Sequence, residues 1–215
     1  MVGVDRLRTK TPLCMVFVLV ALTLPGCGGG GMLTGGPGSL RIVSTTQPTR
    51  LDASFRTAVY AYSDENTADL YFTDLTPEQL QALATGQSVG ATAPDGAQLL
   101  HVHLFLTPRA GRTPIEFTAS NVTLTHYVLV GEEVGVYGGG GFLLPSRMFT
   151  REPGNDRFGG QMREATLRFL NGTSGFEDRL GSTTVDGTVN ATLDPEGARQ
   201  MATVISQLSR AAGRF

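Results

Sequence analysis

The chain's three histidines all fall in two strand-like stretches. In LLHVHLFLT (99–107), His101 and His103 share one face, because side chains on a strand alternate. His126 follows about two dozen residues later, in NVTLTHYVLV (121–130). Three imidazoles can hold zinc or another transition metal and leave one position open, which would generate a metal-bound hydroxide. A metal-dependent enzyme built on His101, His103 and His126 is therefore one expectation. Against it, His126 alternates in phase with Val122, Leu124 and Val128. That phase turns it toward a core while the pair faces water.

The His-x-His pair is similar to the cupin metal motif, but Leu104 to Thr107 occupies the place of the expected glutamate. A second metal candidate is calcium, which favours oxygen-rich loops. Asp64, Asn66 and Asp69 supply such oxygens between two strands. Their spacing fits no EF-hand, and a solvated turn with Asn and Asp side chains bonding nearby backbone explains the same residues. Gly86-Gln87-Ser88-Val89-Gly90 matches the G-x-S-x-G pattern, yet a nucleophile elbow needs a strand before the serine and a helix after it. Here a helix precedes. Tyr137-Gly138-Gly139-Gly140-Gly141-Phe142 lacks the Lys-Ser/Thr of a phosphate loop and reads as a flexible loop between strands. No catalytic constellation survives its context.

The elements that must position these residues are mostly strands. SLRIVST (39–45), FRTAVYAY (55–62), ADLYFTD (68–74), EVGVYG (133–138), MREATLRFL (162–170) and TTVDGTVNATL (183–193) join the two histidine strands. Turn signals such as Pro94-Asp95-Gly96 and Asn171-Gly172 lie between them. Two short helices interrupt, over about 76–85 and 195–212. Thr76-Pro77-Glu78-Gln79 is a capping box with proline at the first helical position. Asp194 caps the second helix, where Met201, Val204, Ile205 and Leu208 recur on one face. The fold class expected is mainly β, an antiparallel β-sandwich or open barrel with two short helices.

Composition suits a globular chain, with 40% apolar and 17% charged residues. A net charge of −2 offers no basic field for nucleic acid. The first segment reads as an address. Arg6, Arg8 and Lys10 precede an apolar run, Leu13 to Leu24, too short to cross a bilayer, which needs roughly 20 residues. Leu24-Pro25-Gly26-Cys27 resembles the lipobox of bacterial lipoproteins, departing from it at Pro25, where a small residue is commoner. The resemblance implies cleavage before Cys27 and acylation of its thiol. Gly28 follows in place of the aspartate that holds enterobacterial lipoproteins in the inner membrane. That implies an outer-membrane anchor facing the periplasm or the cell surface.

The expected organisation is a signal peptide (1–26), a glycine-rich tether (27–38) and a single β-rich domain (39–215). The function expected is a membrane-anchored, non-enzymatic binding or interaction domain of the cell envelope, working without a required cofactor on an envelope protein or ligand. A structural component of an envelope assembly is the other alternative to the metal enzyme.

Overall fold

The computed structural model describes residues 36–64, 66–108, 119–147 and 157–213. Among the described residues of the compact unit 34–215, nine strands form one sheet: β1 (Gly38–Ser44), β2 (Arg50–Ser54), β3 (Thr57–Tyr62), β4 (Ala68–Thr73), β5 (Ala97–Leu104), β6 (Val122–Val130), β7 (Glu133–Arg147), β8 (Arg157–Gly172) and β9 (Thr183–Leu193). Three helices join them: α1 (Pro77–Ala84), α2 (Val89–Thr92) and α3 (Pro195–Ala211).

Strands β3 to β8 run as successive antiparallel neighbours, and β9 closes the ring. One edge of β9 pairs with β8 along its length. The other pairs with β1 from Thr183 to Val189 and then, in parallel, with β3 at Thr192 and Leu193. The sheet is thus a barrel, with the β1–β2 hairpin completing its wall beside β9. This is the mainly β, antiparallel fold read from the sequence, with one parallel junction.

Alternation along the strands sorts side chains into two cores. The barrel interior holds Leu40, Ile42, Tyr60, Phe72, Leu100, Val102, Leu124, Tyr137, Phe158, Met162 and Val185. The outer face of β3–β7 presents Val59, Tyr71, Leu99, Tyr127, Leu129, Val134 and Val136, and these are covered by α1 and α3. On α3, Ala198, Met201, Val204 and Leu208 make the buried stripe. Each fully buried Val, Leu or Met contributes roughly 1.5–3 kcal/mol.

The helix ends follow their sequence signals. Gln79 N–H donates to Thr76 Oγ1 (3.3 Å), and Thr76 N–H donates to Gln79 Oε1 (2.8 Å). Asp194 Oδ1 accepts from the backbone of Glu196 and Gly197. A third helix, the four-residue α2, was not expected. It buries no side chain and so leaves no periodic pattern.

The glycine run corrects its sequence reading. Gly138–Gly141 lies inside β7, paired with β6 along its whole length. A side chain at Gly139 would collide with the Thr166 carbonyl oxygen, and one at Gly141 with the Ala165 side chain. The glycines allow a close approach of β8, where Arg163 and Glu164 form a bulge. Glu164 takes a φ of 50° there, and its N–H donates to Asp186 Oδ1 (2.9 Å).

Candidate functional site

The structure separates the three histidines. His101 and His103 lie on the outer face of β5, opposite Asp69 and Tyr71 of β4. His101 Nε2 and His103 Nδ1 each lie 2.8 Å from the same oxygen, Asp69 Oδ1. A carboxylate only accepts, so both ring nitrogens donate. These bonds hold the Asp69 carboxyl below its usual range, the His101 bond acting most and burial opposing it. Tyr71 stacks flat on His101, with centroids 4.7 Å apart and planes within 7°. Burial first, then the neighbouring Asp69 charge, pushes the Tyr71 phenol up to about 12.

His126 points the other way, into the barrel. It is fully buried, and its register partner Tyr137 lies with its ring centroid 6.3 Å away. The expected three-histidine metal centre therefore does not form, because one sheet separates His126 from the pair. Among the described residues no group of three or more His, Cys, Asp or Glu is placed to hold a metal ion.

The calcium reading is corrected by the same carboxylate. Asp69 is committed to β5, while Asp64 Oδ1 accepts from the backbone of Asn66 (2.7 Å) and Thr67 (2.9 Å) as a local turn. Ser88 of the G-x-S-x-G stretch stands at the N-cap position of the short α2 without capping it, and its hydroxyl donates weakly to Glu132 Oε1 (3.4 Å), with no strand behind it. Cys27 lies outside the described residues.

The site that the sequence reading missed is the barrel mouth. Above His126, the interior face of β6 and β7 continues through Val128, Val130 and Tyr137 to an open end. There, a cavity of about 270 Å³ is enclosed with Leu51 of β2 and Phe176 and Leu180 of the β8–β9 connection. Glu133, Glu177 and Arg179 bring charge to the same lining. The Glu177–Arg179 pair (3.1 Å) is exposed and contributes little.

The connection over the mouth, residues 173–182, is held at both ends. Near its start, Thr173 Oγ1 donates to Glu133 and accepts from Val134 N–H (3.0 Å), and Gly175 N–H donates to Glu133 Oε2 (3.3 Å). Further on, Asp178 Oδ1 accepts from Tyr137 Oη (2.9 Å) and from the backbone of Leu180 and Gly181. Burial and the bond to Asp178 raise the Tyr137 phenol well above its ordinary range, so it stays a neutral donor. Phe176 rests in the space that a side chain at Gly135 would fill, stacked on Phe169 (5.8 Å, 9°) and edge-on to Tyr137 (6.4 Å, 74°). The mouth is preformed, with an aromatic wall fixed by polar bonds.

Beneath it, His126 Nε2 lies 3.1 Å from Gln98 Oε1. If the amide oxygen accepts there, Nε2 carries the proton and Nδ1 a lone pair, and Nδ1 has no hydrogen-bond partner among the described residues. Burial lowers the His126 pKa to about 4, so the ring is neutral near pH 7. Among the described residues that line the mouth, none is arranged as a nucleophile and base. What the geometry provides is a small apolar recess with a fixed rim.

The chain matches no family model, and no curated protein is detectably similar to it in sequence.

Proposed function

We propose that the chain is a lipid-anchored, non-enzymatic binding protein of a bacterial cell envelope, whose barrel mouth takes a small apolar ligand. The observation that carries the binding half is the cavity. It is preformed, it is walled by Leu51, Val128, Val130, Tyr137, Phe176 and Leu180, and it sits where barrels commonly hold ligands. Its volume lies near the small end of ligand sites, which span roughly 300–1,000 Å³, so a compact ligand fits better than a polymer. Charged residues line only part of it, which suits a ligand with an apolar body and at most one polar end.

The apolar fluorophore N-phenyl-1-naphthylamine serves as a first probe. It should bind and gain emission, and Val128→Trp, which fills the cavity, should weaken that binding tenfold or more while the far-ultraviolet circular dichroism stays that of the parent. Equal affinity in the variant would place the probe elsewhere and remove the mouth as the site.

The anchoring half rests on Leu24-Pro25-Gly26-Cys27 after a charged and then apolar leader. A diacylated or triacylated cysteine holds a protein stably, since each buried CH₂ contributes about 0.8 kcal/mol. Among the described residues no helix is long and apolar enough to cross a membrane. Cys27→Ser should abolish incorporation of radiolabelled palmitate and move the protein from the membrane to the soluble fraction. A parent chain that takes up no label, with a variant that stays on the membrane, would sink the lipoprotein reading.

A further inference from the structure

The described domain begins at Gly36, and where it begins matters for how an anchored barrel stands. The Gly36 carbonyl accepts from Asn190 Nδ2 (3.2 Å), and the Pro37 carbonyl from Asn190 N–H (3.1 Å). Asn190 pairs with Gly159, two residues from the Thr192–Arg157 rung with which β8 begins. The chain thus enters close to the barrel end opposite the mouth.

That end is also where most of the exposed large hydrophobics lie. Of the five among the described residues, Phe105 (41%), Leu106 (43%) and Leu144 (43%) belong to it. They are held, not frayed. Asn121, 1% exposed, accepts from Phe105 N–H through its carbonyl (3.1 Å) and donates from Nδ2 to the carbonyls of Leu106 (3.2 Å) and Leu143 (2.9 Å). Its Oδ1 accepts from Leu143 N–H (2.7 Å). One buried amide therefore locks the segment bearing Phe105 and Leu106 beside the stretch of β7 that bears Leu144. Arg56 and Arg157, both exposed, flank the chain's entry together with Asp194, whose carboxylate is occupied in capping α3.

Rigidly presented apolar side chains at the end where the chain enters, with arginines around that entry, are the composition of a surface that lies in the headgroup layer of a bilayer. The covalent arrangement points the same way. Eight residues lie between Cys27 and Gly36, and the nine steps between those two reach roughly 30 Å at full extension and about half of that on average for a glycine-rich chain. We propose that the end carrying Phe105, Leu106 and Leu144 rests on the lipid surface that holds the Cys27 anchor, so that the ligand-binding mouth faces away from it. This rests on the lipid-anchor reading.

The chain has no tryptophan, so a single introduced one reports alone. The full-length acylated protein carrying Phe105→Trp, Leu144→Trp or, at the mouth, Val130→Trp is reconstituted in phosphatidylcholine–phosphatidylglycerol vesicles containing brominated lipid. The first two variants should lose half or more of their emission to the bromine, and Val130→Trp less than a tenth. Strong quenching of Val130→Trp, or no quenching of either lower-end variant while the protein floats with the vesicles, overturns the orientation and leaves the anchor intact. Protein that carries no acyl group and does not float overturns the anchor itself, and the orientation with it. Two separate positions at the lower end keep the test decisive if one substitution disturbs folding.

Discussion

Gly139→Ala is expected to destabilise the barrel by about 3 kcal/mol or more, the upper range for forcing atoms into a filled interior. For a domain of this size that corresponds to a fall in melting temperature of roughly 6–12 °C. The cause is steric. The added methyl meets the Thr166 carbonyl oxygen and crowds the backbone at Leu167, neither of which can rotate aside as a side chain would. Relief requires β8 to retreat from β7, and β8 is also pinned on its other edge to β9. Gly86→Ala provides the contrast. It stands at φ +90° after α1 with nothing within 4 Å of its added carbon, so its cost is backbone strain alone, of order 1 kcal/mol. Thermal unfolding followed by circular dichroism separates the two. If Gly139→Ala melts no lower than Gly86→Ala, β8 has room to move and the close approach is not what selects glycine.

The same glycines mark where sequence reasoning stopped. Alternation exposed β1 and β3, and runs of β-branched and aromatic residues exposed β4–β6 and β9. Alternation also put His126 in phase with Val122, Leu124 and Val128, on the face it occupies. Both longer helices were legible from their caps. The strand β2 was not, since RLDAS is short and carries an exposed Arg50–Asp52 pair. The run Gly138–Gly141 misleads for a physical reason. Glycine is read as a turn former because of its conformational freedom, but here it is needed only for its missing side chain, and no local pattern distinguishes the two uses.

The sites were less legible than the fold because each depends on strand register. Asp69 looked like a member of an acidic turn with Asp64 and Asn66. Only the pairing of Asp69 with His103 on β5 shows that it bridges two histidines. The mouth draws on β2, β6, β7 and the β8–β9 connection, regions separated by up to the length of the chain between Leu51 and Leu180. No spacing in the sequence announces that Phe176 fits the gap at Gly135.

The second large effect is acid destabilisation through His126. In the unfolded chain its pKa lies near 6.5, and in the barrel burial holds it at about 4. Above pH 6.5 neither state binds the proton, and stability is unaffected. Between about 6.5 and 4 the unfolded state binds a proton that the folded state refuses, so stability falls as pH falls, by up to 1.36 kcal/mol per unit. At pH 4.5 the loss from this one residue should reach about 2.5 kcal/mol, and it levels off below pH 4. Carboxylates titrate over the same interval, so the parent alone does not isolate the effect. The paired variant His126→Leu/Gln98→Leu does, because it removes both ends of the buried bond and leaves no orphaned polar group. Urea unfolding at pH 7.5 and 4.5 should show the parent losing about 2 kcal/mol more than the paired variant. Equal losses would mean that the folded barrel accepts the proton at ordinary pH, and that Nδ1 is reached by water. The N-phenyl-1-naphthylamine affinity at the same two pH values extends the argument to function. Val128 and Tyr137 line the cavity and border His126 in chain and register, and because the folded ring stays largely neutral at pH 4.5, the folded parent should bind the probe there as tightly as the paired variant does.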